Sequence, residues 1–144
     1  GLGKCIRDRK YLANTIGGKI MAYAETQVSE QSEVANVIQT YIDGARSGRG
    51  DDMRPAFHKG ATIFGYVGND LFAGPIQKLF DWNDENGPAT GLKAEIARID
   101  VVGRAASVRL ELDNWTGHRF TDLFTLLEVD GEWKITNKVF QLHA

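Results

Sequence analysis

Apolar residues recur at Val34, Val37, Ile38, Tyr41, Ile42 and Ala45. This i, i+3, i+4, i+7 spacing places one continuous stripe on a helix. Ser29 is the expected N-cap, with Glu30 and Glu33 in the first turn, where the helix dipole favours acids. Arg46 and Gly48 mark the expected end. Asp51 starts a short helix expected to run to Phe57. The pattern then changes period. Residues 61–66 read as a strand, with residues 71–73 as a short partner across Gly68-Asn69. Pro75 opens a third predicted helix whose apolar face is Ile76, Leu79 and Phe80.

From Leu92 onward the chain reads as strand. Ala106, Val108, Leu110 and Leu112 alternate with Ser107, Arg109, Glu111 and Asp113, the mark of a half-buried strand. A turn at Thr116-Gly117 leads into a strand over 119–129. A second turn at Asp130-Gly131 forms a hairpin with the closing strand. Helices followed by a meander of antiparallel strands give an α+β fold. In strand 119–129, Phe120, Phe124 and Leu126 lie on one face. Leu123, Leu127 and Val129 lie on the other, with Thr121 and Thr125. Neither face is charged enough for open water, so helices should cover one face and a second copy the other. The expected assembly is a homodimer joined sheet to sheet.

Composition narrows this picture only a little. With 144 residues, 42% hydrophobic and 25% charged, the chain has the size of one domain with a real core. The formal charge of −2 argues against nucleic-acid binding, which needs a basic stripe. The basic residues Lys4, Arg7, Arg9, Lys10 and Lys19 gather in the first 28, an extension ahead of a 29–144 domain. It reads as a solvated arm, with weak helical spacing at Ile6, Lys10, Ala13 and Ile16 that Gly17-Gly18 should end and with Met21 and Tyr23 docking on the body. Single Cys5 gives no intramolecular disulfide and no Cys₄ zinc site. His58, His118 and His143 lack metal-ligand spacing, so neither metal nor cofactor is expected. No apolar run reaches a membrane span, and a cytoplasmic location is the default expectation.

Three stretches carry a family likeness. They are residues 41–45 (Tyr-Ile-Asp-Gly-Ala), residues 51–58 (Asp-Asp-Met-Arg-Pro-Ala-Phe-His), and the closing hairpin from Asp122 through Gly131, Trp133 and Asn137 to Phe140. Together they resemble the nuclear transport factor 2-like superfamily, in its "putative lumazine-binding" branch, over roughly 29–142. Polyketide-cyclase-like and ketosteroid-isomerase-like proteins are its cousins. The resemblance implies N-terminal helices closing a strongly curved antiparallel sheet into a cone with an apolar pocket. It also implies that Asp122 falls near where the isomerases hold a protonated Asp that donates to an enolate oxygen. Their general base is absent from this chain, since the matching segment reads Ile63-Phe64-Gly65-Tyr66. Fold likeness alone does not fix chemistry.

The candidate site residues are Asp122, Tyr66, His58, Tyr41, Trp115, Trp82 and Asn137. Asp122 interrupts an apolar strand, so it must be solvated, paired or neutral. It either lines the pocket or pairs with Arg109, Arg119 or a backbone donor. His58 with Tyr66 and Asp122 would suit acid–base chemistry, whereas a helix-end His58 would cap carbonyls instead. Trp82 and Trp115 can wall a flat ligand or simply pack the core, and Trp133 belongs to the core. Tyr41 faces the sheet and needs a partner for its hydroxyl. The Arg49-Gly-Asp51 tripeptide lies in an inter-helix turn, and the Asn114-Trp-Thr116 sequon has meaning only in a secreted eukaryotic protein, so neither carries functional weight. The leading reading is a binder of a small apolar or aromatic molecule. The alternatives are a lyase or isomerase acting on a hydrophobic cyclic substrate, and a protein-interaction domain.

Overall fold

A computed structural model describes the backbone of residues 17–144 and the side chains from residue 25 onward. The expectations placed on the arm, namely its helical spacing, Cys5 and the docking of Met21 and Tyr23, fall outside the described side chains. Helix α1 spans Gly17–Ser47. It begins where the Gly pair was expected to end a helix, and it runs through Ser29 without a break. Residues 19–28 contain no Gly or Pro, and extending an existing helix is far easier than nucleating one. Val34, Ile38, Tyr41, Ile42 and Ala45 are buried, so the apolar stripe faces the core as its spacing requires.

Helix α2, Gly50–Met53, passes through a 3₁₀ turn at Arg54–Ala56 into β1, Phe57–Val67. The strand therefore starts four residues earlier than the apolar run suggested. Strand β2, Asp70–Pro75, returns along β1 across the Gly68-Asn69 turn. Pro75 ends this strand opposite Thr62 and does not open the helix, so α3 spans Gln77–Asn86. Strands β3 (Lys93–Val102), β4 (Ala105–Trp115), β5 (His118–Val129) and β6 (Glu132–His143) complete the chain.

The six strands form one sheet in the order β2-β1-β6-β5-β4-β3. Four pairings are antiparallel. The fifth, β1 with β6, is parallel, which corrects the expectation of a wholly antiparallel sheet. Local turn signals announce hairpins, whereas this pairing joins strands some 75 residues apart and leaves no local mark. The architecture is the expected α+β cone, with helices against the inner face and the sheet left open at its edges.

Two register shifts set which side chains point inward. In β4 the shift between Leu112 and Trp115 includes Asn114 at φ 58°. It lets both Leu112 and Trp115 face the core, though they are an odd number apart. In β6, Ile135 and Lys138 are both buried, again an odd step, across a shift opposite Thr125 and Leu126. A β-bulge reverses the alternation beyond it. It puts Lys138, not Asn137, on the inner face.

Candidate functional site

The inner face of β5 presents Phe120, Asp122, Phe124 and Leu126 to the core. Asp122 is completely buried. Its register partners are Leu110 on β4 and Phe140 on β6, so neither direct neighbour is polar. The polar partners arrive from other positions. Tyr41, on the apolar stripe of α1, donates its hydroxyl to Asp122 Oδ2 at 2.9 Å. Lys138, turned inward by the β6 bulge, donates from Nζ to Tyr41 Oη at 2.7 Å. Lys138 Nζ also stands 3.6 Å from Asp122 Oδ2, at ion-pair distance. The three groups form a chain in which lysine donates to tyrosine and tyrosine donates to aspartate. Arg109 and Arg119, proposed partners of Asp122 from sequence, instead hold Glu111 on the outer face at 2.8 and 3.2 Å.

Rings enclose this chain. Lys138 Nζ lies 5.1 Å from the Tyr41 centroid, 5.3 Å from Trp115 and 5.6 Å from Phe140. Such contacts favour a cation, yet taking an ammonium out of water still costs several kcal/mol. Burial dominates the protonation of all three groups. It lifts the Asp122 carboxyl above the usual carboxylate range, against the opposing pull of Lys138 and the Tyr41 hydrogen bond. Burial also pushes the Lys138 ammonium below its ordinary value, although Asp122 opposes this. Tyr41 is raised well above its usual value by burial and by the neighbouring carboxylate, so it remains a hydroxyl that can donate. Asp122 Oδ1 and Trp115 Nε1 are buried polar atoms with no hydrogen-bond partner among the described residues.

Lys138 also borders a cavity of about 100 Å³. Its walls are aromatic and aliphatic: Trp82, Trp115, Phe120, Phe140, Phe72 and Leu79 among them. Trp82 meets Trp115 edge to face at 5.4 Å, and Phe120 bridges Trp115 at 5.7 Å and Phe140 at 5.9 Å. Gly65 explains how Phe140 reaches this wall. A Cβ at Gly65 would lie 2.5 Å from three atoms of the Phe140 ring. Gly65 is thus the floor on which the Phe140 ring rests.

The expected site residues divide into two groups. Asp122, Tyr41, Trp115 and Trp82 come together at or beside the cavity. Tyr66 is on the outer face and 61% exposed, so it does not join Asp122. His58 lies in β1, where its Nδ1 accepts the Gly60 backbone N–H at 2.9 Å, and so caps no helix. It borders a separate hollow with Arg54, Lys59 and Phe80. Asn137 donates to Thr62 Oγ1 at 2.9 Å on the neighbouring strand and does not line the aromatic cavity. His118 is exposed, as expected, and also borders that cavity. Lys138 was missed from sequence. Counting back by twos from Phe140 would have found it, whereas counting forward from Trp133 and Ile135 selects Asn137. Among the described residues no group of three His, Cys, Asp or Glu could hold a metal, and no helix is long and apolar enough to cross a membrane.

The outer face is apolar where it should be wet. Phe64, Val139 and Leu123 are successive cross-strand neighbours on β1, β6 and β5, and are 45%, 41% and 50% exposed. Arg109 continues this row on β4, where Glu111 binds it.

Residues 29–141 match the family model described as "Putative lumazine-binding", and the chain belongs to this family, within the nuclear transport factor 2-like superfamily. A solved NTF2-like protein of unknown function from Methylobacillus flagellatus KT is 51% identical, with a TM-score of 0.80, over 81% of this chain and 94% of that one. Another, from Shewanella baltica OS155, is 45% identical, with a TM-score of 0.78, over 81% of this chain and 96% of that one. The aldolase FrzH of Cladobotryum sp. is 28% identical over 113 residues, which is 78% of this chain and 90% of FrzH.

Proposed function

We propose that the cone binds a small, largely apolar molecule carrying a hydrogen-bond acceptor, and that the protein acts as a homodimer joined through the outer face of its sheet. The observation that carries the binding reading is the buried Lys138 on the wall of a largely apolar, aromatic-rich cavity. Pockets that recognise small molecules combine apolar walls with a few placed polar groups. The aromatic rings would hold the body of the ligand, and Lys138 would donate to its acceptor. An engineered cavity of roughly 150 Å³ takes up benzene, so a cavity of about 100 Å³ that is bordered by the exposed His118 suits a compact molecule of about one ring, with its substituent free to extend toward that border. The dimer reading is supported by the row Phe64, Val139 and Leu123, with a polar border at Arg109 and Glu111. A cytoplasmic setting is in keeping with the single Cys5.

Fluorescence tests the binding reading, because Trp82 and Trp115 stand on the cavity wall. Saturable quenching by small aromatic carbonyl compounds, lost when Leu79→Trp fills the cavity, is the expected result. Quenching that survives a filled cavity would contradict it.

An enzymatic reading is favoured by the Lys138–Tyr41–Asp122 chain and by the likeness to an aldolase. It is a lyase or isomerase reading that no longer uses His58 or Tyr66. The general acid and base would be the members of that chain. Turnover of a ketone or aldehyde substrate that disappears in Tyr41→Phe, with binding retained, is its signature.

A further inference from the structure

Lys138 is placed for more than hydrogen bonding. An amine becomes a nucleophile when it is desolvated and has a nearby group to take its proton. Lys138 is 3% exposed, borders the cavity, and gives its hydrogen bond to Tyr41, which gives its own to Asp122. The carboxylate also stands at ion-pair distance from Nζ, 3.6 Å away, while the shorter contacts run through the tyrosine hydroxyl, and Asp122 Oδ1 has no partner among the described residues. The arrangement is a proton wire with the amine at its cavity end and an acceptor at its buried end.

We propose that Lys138 Nζ forms an imine with the carbonyl carbon of a small aldehyde or ketone held in the aromatic cavity. The inference rests on the binding reading above and specifies the ligand's reactive group. The ammonium passes one proton through the Tyr41 hydroxyl to the Asp122 carboxylate, which leaves a neutral amine and a neutral acid. The amine lone pair attacks the carbonyl carbon, and after proton transfer from nitrogen to oxygen a neutral carbinolamine results. Asp122 returns its proton through Tyr41 to the carbinolamine hydroxyl, the carbon–oxygen bond breaks, and water leaves. The product is a protonated imine facing the regenerated carboxylate, so charge and atoms balance with no further reagent. Such a cation draws electrons from the neighbouring carbon, and the site then has a means of making or breaking a bond there. The rings that lie within 6 Å of Nζ would stabilise the iminium as they do the ammonium.

Borohydride trapping tests this on the full chain. The protein is incubated at neutral pH with benzaldehyde or with acetone, treated with sodium cyanoborohydride, and analysed by intact mass and peptide mapping. One adduct per chain, located at Lys138, is the expected result. Lys138→Arg, which keeps the positive charge but cannot form an imine, should lose it. Tyr41→Phe should slow it roughly a hundredfold, the scale of a lost acid–base relay. Benzyl alcohol, which lacks a carbonyl, serves as the binding control through tryptophan quenching. Quenching by benzyl alcohol and benzaldehyde without an adduct at Lys138 would overturn the imine and leave the binding reading standing. Adducts spread evenly over surface lysines would also overturn it. Neither quenching nor an adduct would overturn both readings.

Discussion

Strand β5 carries opposite anomalies on its two faces. On the inner face Asp122 is wholly buried among Phe120, Phe124 and Leu126. One residue on, Leu123 is 50% exposed, and Leu127 is 42% exposed. Charge is inside and aliphatic surface outside, the reverse of what folding alone would select. Burying a carboxyl and an ammonium costs stability unless they do something for each other or for a ligand. Exposing a row of large apolar residues marks a contact surface. The proposed binding and imine chemistry rest on the inner anomaly and the proposed dimer on the outer one, and they can be separated because each sits on its own side of one sheet.

The largest expected effect comes from breaking the inner face. Lys138→Ala leaves Asp122 buried without its cation and should lower unfolding free energy by about 3–5 kcal/mol in urea titration. The double variant Asp122→Leu with Lys138→Met should recover most of that loss, since apolar replacements of a buried pair are often neutral or stabilising. If the single and double variants were equally unstable, the pair would not be coupled.

A smaller effect follows from Gly65→Ala. The new methyl group meets the Phe140 ring and should cost about 1–3 kcal/mol as overpacking. It should also drive Phe140 into the cavity and weaken ligand quenching. Unchanged stability and quenching would show that the ring has somewhere else to go.

Protonation gives a pH signature. Asp122 has a folded value above its ordinary 3.8, so the folded state binds more protons and stability rises as pH falls through that raised value. Lys138 has a folded value below its ordinary 10.5, so stability rises as pH climbs from that lowered value toward 10.5. The stability of the parent relative to the Asp122→Leu, Lys138→Met variant should therefore be lowest near neutrality and rise toward both ends. A gap independent of pH would contradict these directions.

The gentlest change is on the outer face. Leu123→Glu should alter chain stability by no more than about 0.5 kcal/mol at concentrations where the chain is a monomer. It should still convert a dimer to a monomer in sedimentation. A parent that already sediments as a monomer would sink the dimer reading and leave the outer row for a foreign partner.

Much of the architecture was legible because it was locally encoded. The stripe from Val34 to Ala45, the alternation in 105–115 and the Asp130-Gly131 turn each carry their own signal. The parallel β1–β6 pairing was not legible, since it depends on strands distant in sequence. The site was half legible. Asp122 and Tyr41 stood out as a buried acid and a hydroxyl needing a partner, and they turned out to be partners of each other. Lys138 was hidden by a bulge that shifts the phase of β6, and a lysine in alternating sequence reads as solvent-facing until that shift is known. Tyr66 failed for the same kind of reason. Its aromatic character suggested a pocket, while strand parity from Ile63 and Gly65 puts it on the opposite face.

The central claim is that the inner face holds a desolvated lysine open to a ligand. The most direct measurement is the ¹³C resonance of the Lys138 ε-carbon, assigned with Lys138→Arg and followed through a pH titration with and without benzaldehyde. A midpoint below the ordinary lysine value, together with a change in that resonance when the aldehyde is added, is the predicted result. A resonance that titrates with the surface lysines and ignores the aldehyde would contradict it.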